Sequence, residues 1–374
     1  MEMKIQRRAM LALSAATLAL PRLACAEDAA YPLGTLFPMS GPNAEFGAVF
    51  SRGVQFALDH IAADHMLSKP IALKVEDSLA TPQGGAIGMN KLANVDDAPY
   101  VLVGFSGVSK AAAPIGNRRK VVMVNGGGVS PELATLSPYF WNVIPLVNFE
   151  LKAMLAFLAE RGLKKLALVY VDDPLGNGIL KQLQADLPGI GGALVGSFSV
   201  APDEQQFSAV AAKVRELKPD AVYFASYGAQ QLQIVKQLRD NGITQQLVTY
   251  SAAALPSVSA DANCEGLLFS SQASDWDSTE PVTKRFVTDW RAKYNTDPTV
   301  YTQNYYNAVR LFALLVQGLE KAKQPVNGET LLAEMLRVRR FNLVGGEGVF
   351  DDHGVLSMPI QVNQIKSGKA GKVG

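Results

Sequence analysis

Several short stretches of the chain are apolar at every position: residues 101–103, 121–124, 166–171 and 221–225. Runs of this length, rich in β-branched residues, suit parallel strands buried on both faces. Between them the period changes. Leu151, Met154, Leu155 and Leu158 follow the i, i+3, i+4, i+7 spacing of a helix face, and Phe207, Val210, Val214 and Leu217 keep a similar stripe, as do Leu232, Val235 and Leu238. Gly162 and Gly242 sit just past two of these helices, where a terminating glycine belongs. The pattern predicts strands at 31–37, 71–77, 100–105 and 120–125, separated by helices at 46–64, 83–94 and 109–117. A second series follows: helix 147–161, strand 164–171, helix 176–186, strand 193–200, helix 207–218, strand 221–227, helix 229–241 and strand 246–250. Strand 266–271, helices 280–294, 302–322 and 328–338, and a strand at 359–366 complete the reading. Alternation of this kind predicts an α/β fold of doubly wound parallel sheets, and the two series look like two similar lobes.

Composition narrows the function. A chain of 374 residues, 48% hydrophobic and 18% charged, suits two domains of ordinary size and excludes wholesale disorder. The formal net charge is +1, so no basic excess points to nucleic acid. Two cysteines and three scattered histidines leave little for a metal centre or a disulfide framework, and no cofactor is expected. The first 26 residues read as a signal peptide: Lys4, Arg7 and Arg8, an apolar run at 9–20, then Ala24-Cys25-Ala26 ahead of Glu27 and Asp28. Cleavage is expected after Ala26, which places the protein in the periplasm. It also leaves Cys264 as the single thiol, so no internal disulfide is expected. The Arg7-Arg8 pair and Cys25 leave twin-arginine export and lipidation open.

The search for catalytic chemistry fails. His60, His65 and His353 lack the H-E-x-x-H spacing of a zinc site. There is no G-x-S-x-G elbow and no G-x-x-x-x-G-K-[ST] phosphate loop, and Gly126-Gly127-Gly128 does not keep the G-x-G-x-x-G frame. Without a base, nucleophile or metal gathered at the loops, no enzyme is expected. What remains is a set of loops at the carboxyl ends of strands, where open α/β sheets bind ligands. These are 38–47, 106–109 and 126–133. Their glycines and helix starts expose backbone N–H groups that suit an anion.

At these loops the residues resemble a family. Pro38-Met39-Ser40-Gly41-Pro42 with Phe46-Gly47 is similar to the opening loop of the periplasmic branched-chain amino-acid-binding proteins, the type I periplasmic binding proteins of ABC transporters. The resemblance continues through Val75-Glu76-Asp77, Ala111-Ala112-Ala113-Pro114-Ile115, Ser130-Pro131-Glu132-Leu133, Asp172-Asp173 with Gly176, and Pro219-Asp220-Ala221-Val222. Gly266-Leu267-Leu268-Phe269 and Phe350-Asp351-Asp352-His353-Gly354 carry it almost to the end of the chain. It implies two lobes joined by three crossover hinge segments, expected near 142–145, 271–274 and 345–348. Lobe I would be 27–143 with 273–345, and lobe II 144–272 with 346–374. The implied function is capture of one small-molecule ligand by lobe closure and delivery to ABC permease subunits of the inner membrane, with the protein a monomer. A ligand sensor that partners a membrane receptor is the rival of another class.

The ligand is where the sequence departs from the family. In its amino-acid binders a Ser and a Thr in the second and third loops hold the carboxylate, and an acid of the second lobe holds the ammonium. Here the Thr position matches Val129, the Ser falls near Val108 or Ser109, and the segment expected to carry the acid reads Ser251-Ala252-Ala253-Ala254. Leu175 replaces the aromatic that usually precedes Gly176. A buried ammonium without a counter-charge would cost several kcal/mol. The expected ligand is therefore a small organic acid with an aromatic or branched aliphatic body, with an amino acid as the alternative. The expected ligand-binding residues are Phe46, Phe105, Ser106, Val108, Ser109, Gly127, Gly128, Val129, Ser130, Tyr227, Ala252 and Ala253, with Tyr250, Trp276 and Tyr301 in second rank. The amides from Gly127 to Ser130, together with Ser106 and Ser109, are expected to hold the carboxylate.

Overall fold

The continuous apolar runs become strands covered on both faces. In the computed structural model, which describes residues 30–373, every residue of Tyr100–Val103 and Val122–Asn125 is buried. The expected signal peptide lies outside the described residues. The first series runs β1 (Tyr31–Phe37), α1 (Ala44–Ala63), β2 (Ile71–Asp77), α2 (Pro82–Asn94), β3 (Tyr100–Val103), α3 (Ser106–Arg119), β4 (Val122–Asn125) and β5 (Phe140–Asn142). Its strands form a sheet of order β2-β1-β3-β4-β5, parallel at every pairing. Local chemistry starts the helices where the pattern placed them. Thr81 caps α2 by accepting from the Gly84 N–H at 3.0 Å, with Pro82 in the first turn.

The second series runs α4 (Val147–Glu160), β6 (Lys165–Val171), α5 (Pro174–Asp186), β7 (Ala193–Val200), α6 (Ser208–Leu217), β8 (Ala221–Ala225), α7 (Gly228–Asp240), β9 (Gln246–Thr249), a short α8 (Pro256–Ala260) and β10 (Leu268–Gln272). The chain then returns through α9 (Pro281–Tyr294), α10 (Val300–Lys321) and α11 (Gly328–Val338), of which α10 packs against α1. A small antiparallel sheet follows, made of β11 (Arg340–Leu343), β12 (Gly346–Phe350) and β13 (Leu356–Ser357). Finally β14 (Ile360–Lys366) and β15 (Lys369–Lys372) join the second sheet, whose order is β15-β14-β10-β9-β8-β6-β7.

Both sheets carry one winding. Numbering the parallel strands of each in chain order gives 2-1-3-4-5, with β1 and β6 as the strands from which the order reverses. The small sheet was not expected. It bridges to the first sheet through Asn142 and Val355, and Trp141 packs edge-on against Phe350 at 5.1 Å. The third crossing expected at 345–348 falls inside it, and the chain reaches the second sheet only at Ile360.

Candidate functional site

Beyond the carboxyl ends of the strands, at the reversal point of each sheet, a cavity opens between the lobes. About 310 Å³ of space between the atoms, open solvent included, lies within it. Corresponding loops of the two lobes line it. After β1 and β6 come Phe46 opposite Asp173 and Leu175. After β3 and β8 come Phe105 and Ser106 opposite Tyr227. After β4 and β9 come Gly127, Gly128 and Val129 opposite Tyr250. Tyr301, from the second residue of α10, completes the wall.

The first-lobe wall is aromatic and tightly built. Phe46 meets Phe105 edge-on at 5.2 Å and Tyr301 at 5.5 Å. Phe105 stands at φ +65°, a left-handed conformation that costs a bulky residue of order 1–3 kcal/mol. It precedes α3 directly and holds its ring against both Phe46 and, at 5.2 Å across the cleft, Tyr227. The glycine loop is small because it must be. A Cβ at Gly127 would lie 2.7 Å from the Phe50 ring, and one at Gly128 would lie 2.9 Å from the Phe105 carbonyl carbon.

The polar groups differ from expectation. Of the amides from Gly127 to Ser130, three are engaged within the protein. Those of Gly127 and Gly128 donate to Asn125 Oδ1 at 3.2 and 2.7 Å, and that of Ser130 donates to Ser106 Oγ at 3.1 Å. Asn125 in turn donates to the Gly128 carbonyl and to Asn142 Oδ1, so a buried Asn pair sets the loop. Instead α3 begins three residues earlier than the pattern suggested. Its first helical bond runs from the Ser109 N–H to the Phe105 carbonyl, which leaves the amides of Ser106, Gly107 and Val108 outside the helical ladder. The helix end and the Ser106 hydroxyl, which keeps its own hydrogen to donate, supply what a carboxylate needs.

Five expected residues stand off the cavity. Val108 is buried against Gly85 behind the first turn of α3, and Ser109 turns its hydroxyl inward, where it has no partner. The Ser130 hydroxyl donates to the Pro174 carbonyl at 3.0 Å, one of the contacts that join the lobes. Ala252 and Ala253 are buried behind Tyr250. Trp276 lines a separate broad groove with Trp290. The lobes also meet where Ser257 donates its N–H and hydroxyl to Glu45, at 3.1 and 2.5 Å.

The second-lobe wall holds a carboxyl that the sequence reading missed. Asp173 caps α5, with Oδ1 accepting the Gly176 N–H at 2.9 Å and Oδ2 accepting the Tyr227 hydroxyl at 2.7 Å. Burial raises its pKa, against the pull of those hydrogen bonds. Burial likewise pushes the Tyr227 and Tyr250 hydroxyls well above their ordinary value, so both face the cleft as neutral hydroxyls. The signal for Asp173 was present in Asp172-Asp173-Pro174, a cap followed by a first-turn proline. Among the described residues, no cluster of three or more His, Cys, Asp or Glu is placed to hold a metal ion, and no helix is long and apolar enough to cross a membrane.

Comparison with known proteins agrees with this geometry. A family model described as periplasmic binding protein matches residues 30–371. A Leu/Ile/Val-binding protein of Rhizobium johnstonii is 24% identical over 351 residues, covering 91% of this chain and 92% of its own. Among solved structures, a leucine-binding protein of Thermotoga maritima superposes with a TM-score of 0.83 at 23% identity, over 92% of this chain and 98% of that one. A solute-binding protein of an ABC transporter from R. palustris, in complex with benzoate, superposes with a TM-score of 0.82 at 20% identity, over 92% of this chain and 96% of that one.

Proposed function

The chain belongs to the periplasmic binding protein family, whose members are solute-binding proteins of transporters and not enzymes, and from that premise we propose which ligand it captures. It takes up a small organic acid with an aromatic or branched aliphatic body, holds it by closing the lobes, and presents it to ABC permease subunits outside the cytoplasmic membrane. The observation that carries this reading is the wall itself. Phe46, Phe105, Tyr227, Tyr250 and Tyr301 surround the cavity, and both oxygens of its one carboxyl, Asp173, already accept hydrogen bonds from the protein. Aromatic faces and edges suit a flat or apolar body. The start of α3, with the Ser106 hydroxyl, suits the acid group. A ligand that touches both lobes favours the closed state by its differential affinity for it.

Asp173 also favours a second reading. An ammonium placed beside it would gain a counter-charge, and an α-amino acid would then fit the same cleft. Titration calorimetry on protein stripped of carried ligand separates the two. Benzoate, 4-hydroxybenzoate or a branched 2-keto acid binding at micromolar levels, about −8 kcal/mol, with leucine at least a hundredfold weaker, supports the organic acid. The reverse ranking rejects it.

A further inference from the structure

Behind the second-lobe wall lies a carboxyl that the binding site described so far does not use. Glu150 sits in the first turn of α4 and is 0% exposed. One oxygen, Oε2, accepts the Ser251 N–H at 2.9 Å, and the other, Oε1, has no hydrogen-bond partner. Ser251 directly follows Tyr250 of the wall, and Tyr301, which lines the cavity from the opposite lobe, feels both the Ser251 hydrogen bond and the Glu150 charge. Two more buried groups of this neighbourhood lack partners: the Tyr223 hydroxyl and Gln231 Oε1, whose amide donates to the Ala252 carbonyl.

Among the described residues, no cation pairs with this acid. Of the elements packed on α4, β10 and the turn Leu187–Ile190 carry no titratable residue, β14 carries only Lys366 at its exposed end, and α5 carries the exposed Lys181, the half-buried Asp186 and the capping Asp173. The groups that exchange charge effects with Glu150 are Tyr223 of β8 and Tyr301 of α10, both neutral hydroxyls at ordinary pH. A carboxyl in such a place stays protonated at neutral pH.

We infer that Glu150 is the charge selector of the cleft: neutral, it lets an anion settle between the lobes, and ionised, it excludes an anion and favours a cationic group. The inference rests on this cleft being the ligand site. It deepens the organic-acid reading, because a proton held one residue behind the wall keeps a negative charge beyond that of Asp173 away from the anion. Burial raises the Glu150 pKa to about 8, so the selector works within an accessible pH range.

The test is calorimetry with benzoate and with leucine between pH 6 and 9.5, on the wild-type protein and on Glu150→Gln. Benzoate should bind wild type about tenfold more weakly at pH 9 than at pH 7, as the competent neutral form is depleted, while Glu150→Gln stays flat. Equal slopes in the two proteins overturn the inference. Failure of the organic-acid reading looks different: leucine binds and benzoate does not. The selector then requires leucine affinity to rise over the same range and to be lost in Glu150→Gln, and equal behaviour again overturns it. Carboxyl ¹³C NMR of glutamate-labelled wild-type protein needs neither ligand nor variant. One glutamate should titrate far above the others, and a set that titrates entirely below pH 6 overturns the assignment.

Discussion

The two lobes share a winding and aim corresponding loops at the same cavity, yet they face it with unlike chemistry. The first contributes Phe46, Phe105, a glycine loop, the Ser106 hydroxyl, the start of α3 and Tyr301, with no carboxyl. The second contributes Asp173, Tyr227 and Tyr250, with Glu150 and Tyr223 behind them. The fold decides where the cleft lies, since both reversal points open on it. The residues decide which lobe provides donors and which provides protons that can leave. The buried titratable groups contrast in the same way. His60 of α1 contacts the Tyr306 hydroxyl at 2.8 Å, and burial is the main cause that lowers its pKa, with Arg285 adding to it, although Asp289 lies 3.4 Å away. Glu150 is its counterpart in the second lobe, and burial moves it the opposite way.

A side chain added to the glycine loop is the most severe way to break this division. Gly128→Val drives a Cβ into the peptide joining Phe105 and Ser106, and should weaken benzoate more than a hundredfold by calorimetry. A Tyr250→Phe change opposite it removes one hydroxyl, which donates to the Ser226 carbonyl, and should cost far less. Stability against pH sharpens the contrast further. A buried acid whose folded pKa is about 8, against 4.5 as its ordinary value, costs stability as pH rises between those values, because the folded protein keeps a proton that the unfolded chain releases. Glu150→Gln should therefore gain on wild type by about 4 kcal/mol between pH 4.5 and 8 in urea unfolding. His60 carries the opposite sign. Its lowered pKa makes the folded state lose stability as pH falls through the ordinary histidine value, and His60→Gln should remove that acid-side loss.

Truncating the strained aromatic comes next. Phe105→Ala removes ring contacts from both sides of the cleft and should weaken benzoate 10- to 100-fold. Asp173→Asn is the mildest. It keeps an acceptor for the α5 cap, so benzoate should change no more than about threefold. Loss of leucine binding in that variant would instead mark Asp173 as an ammonium partner.

Much of this arrangement was legible in the order of residues. Strand and helix periods place the loops of the cleft, because a loop is where one period stops and the other starts, and together with the family resemblance they point to Phe46, Phe105, Ser106, Tyr227 and the glycine loop, which line the cavity. What escaped depends on tertiary contact. Glu150 reads as an ordinary first-turn acid on an amphipathic helix, and only the packing of α4 on β10 and β14 buries it. β5, β11, β12 and β13 run two to five residues, too short for a period of two to register. The early start of α3 was hidden because Phe105 offers no side-chain cap and turns the backbone by a positive φ that no aromatic advertises.

The bond from Ser257 to Glu45 has a consequence for tuning. It holds the lobes together at a point that is not part of the cavity wall, so it favours closure for every guest alike. Weakening it with Glu45→Gln would lower all affinities by one common factor and leave their ranking untouched. How hard this protein grips and what it prefers to grip are thus written in different residues, and each can drift while the other stays fixed.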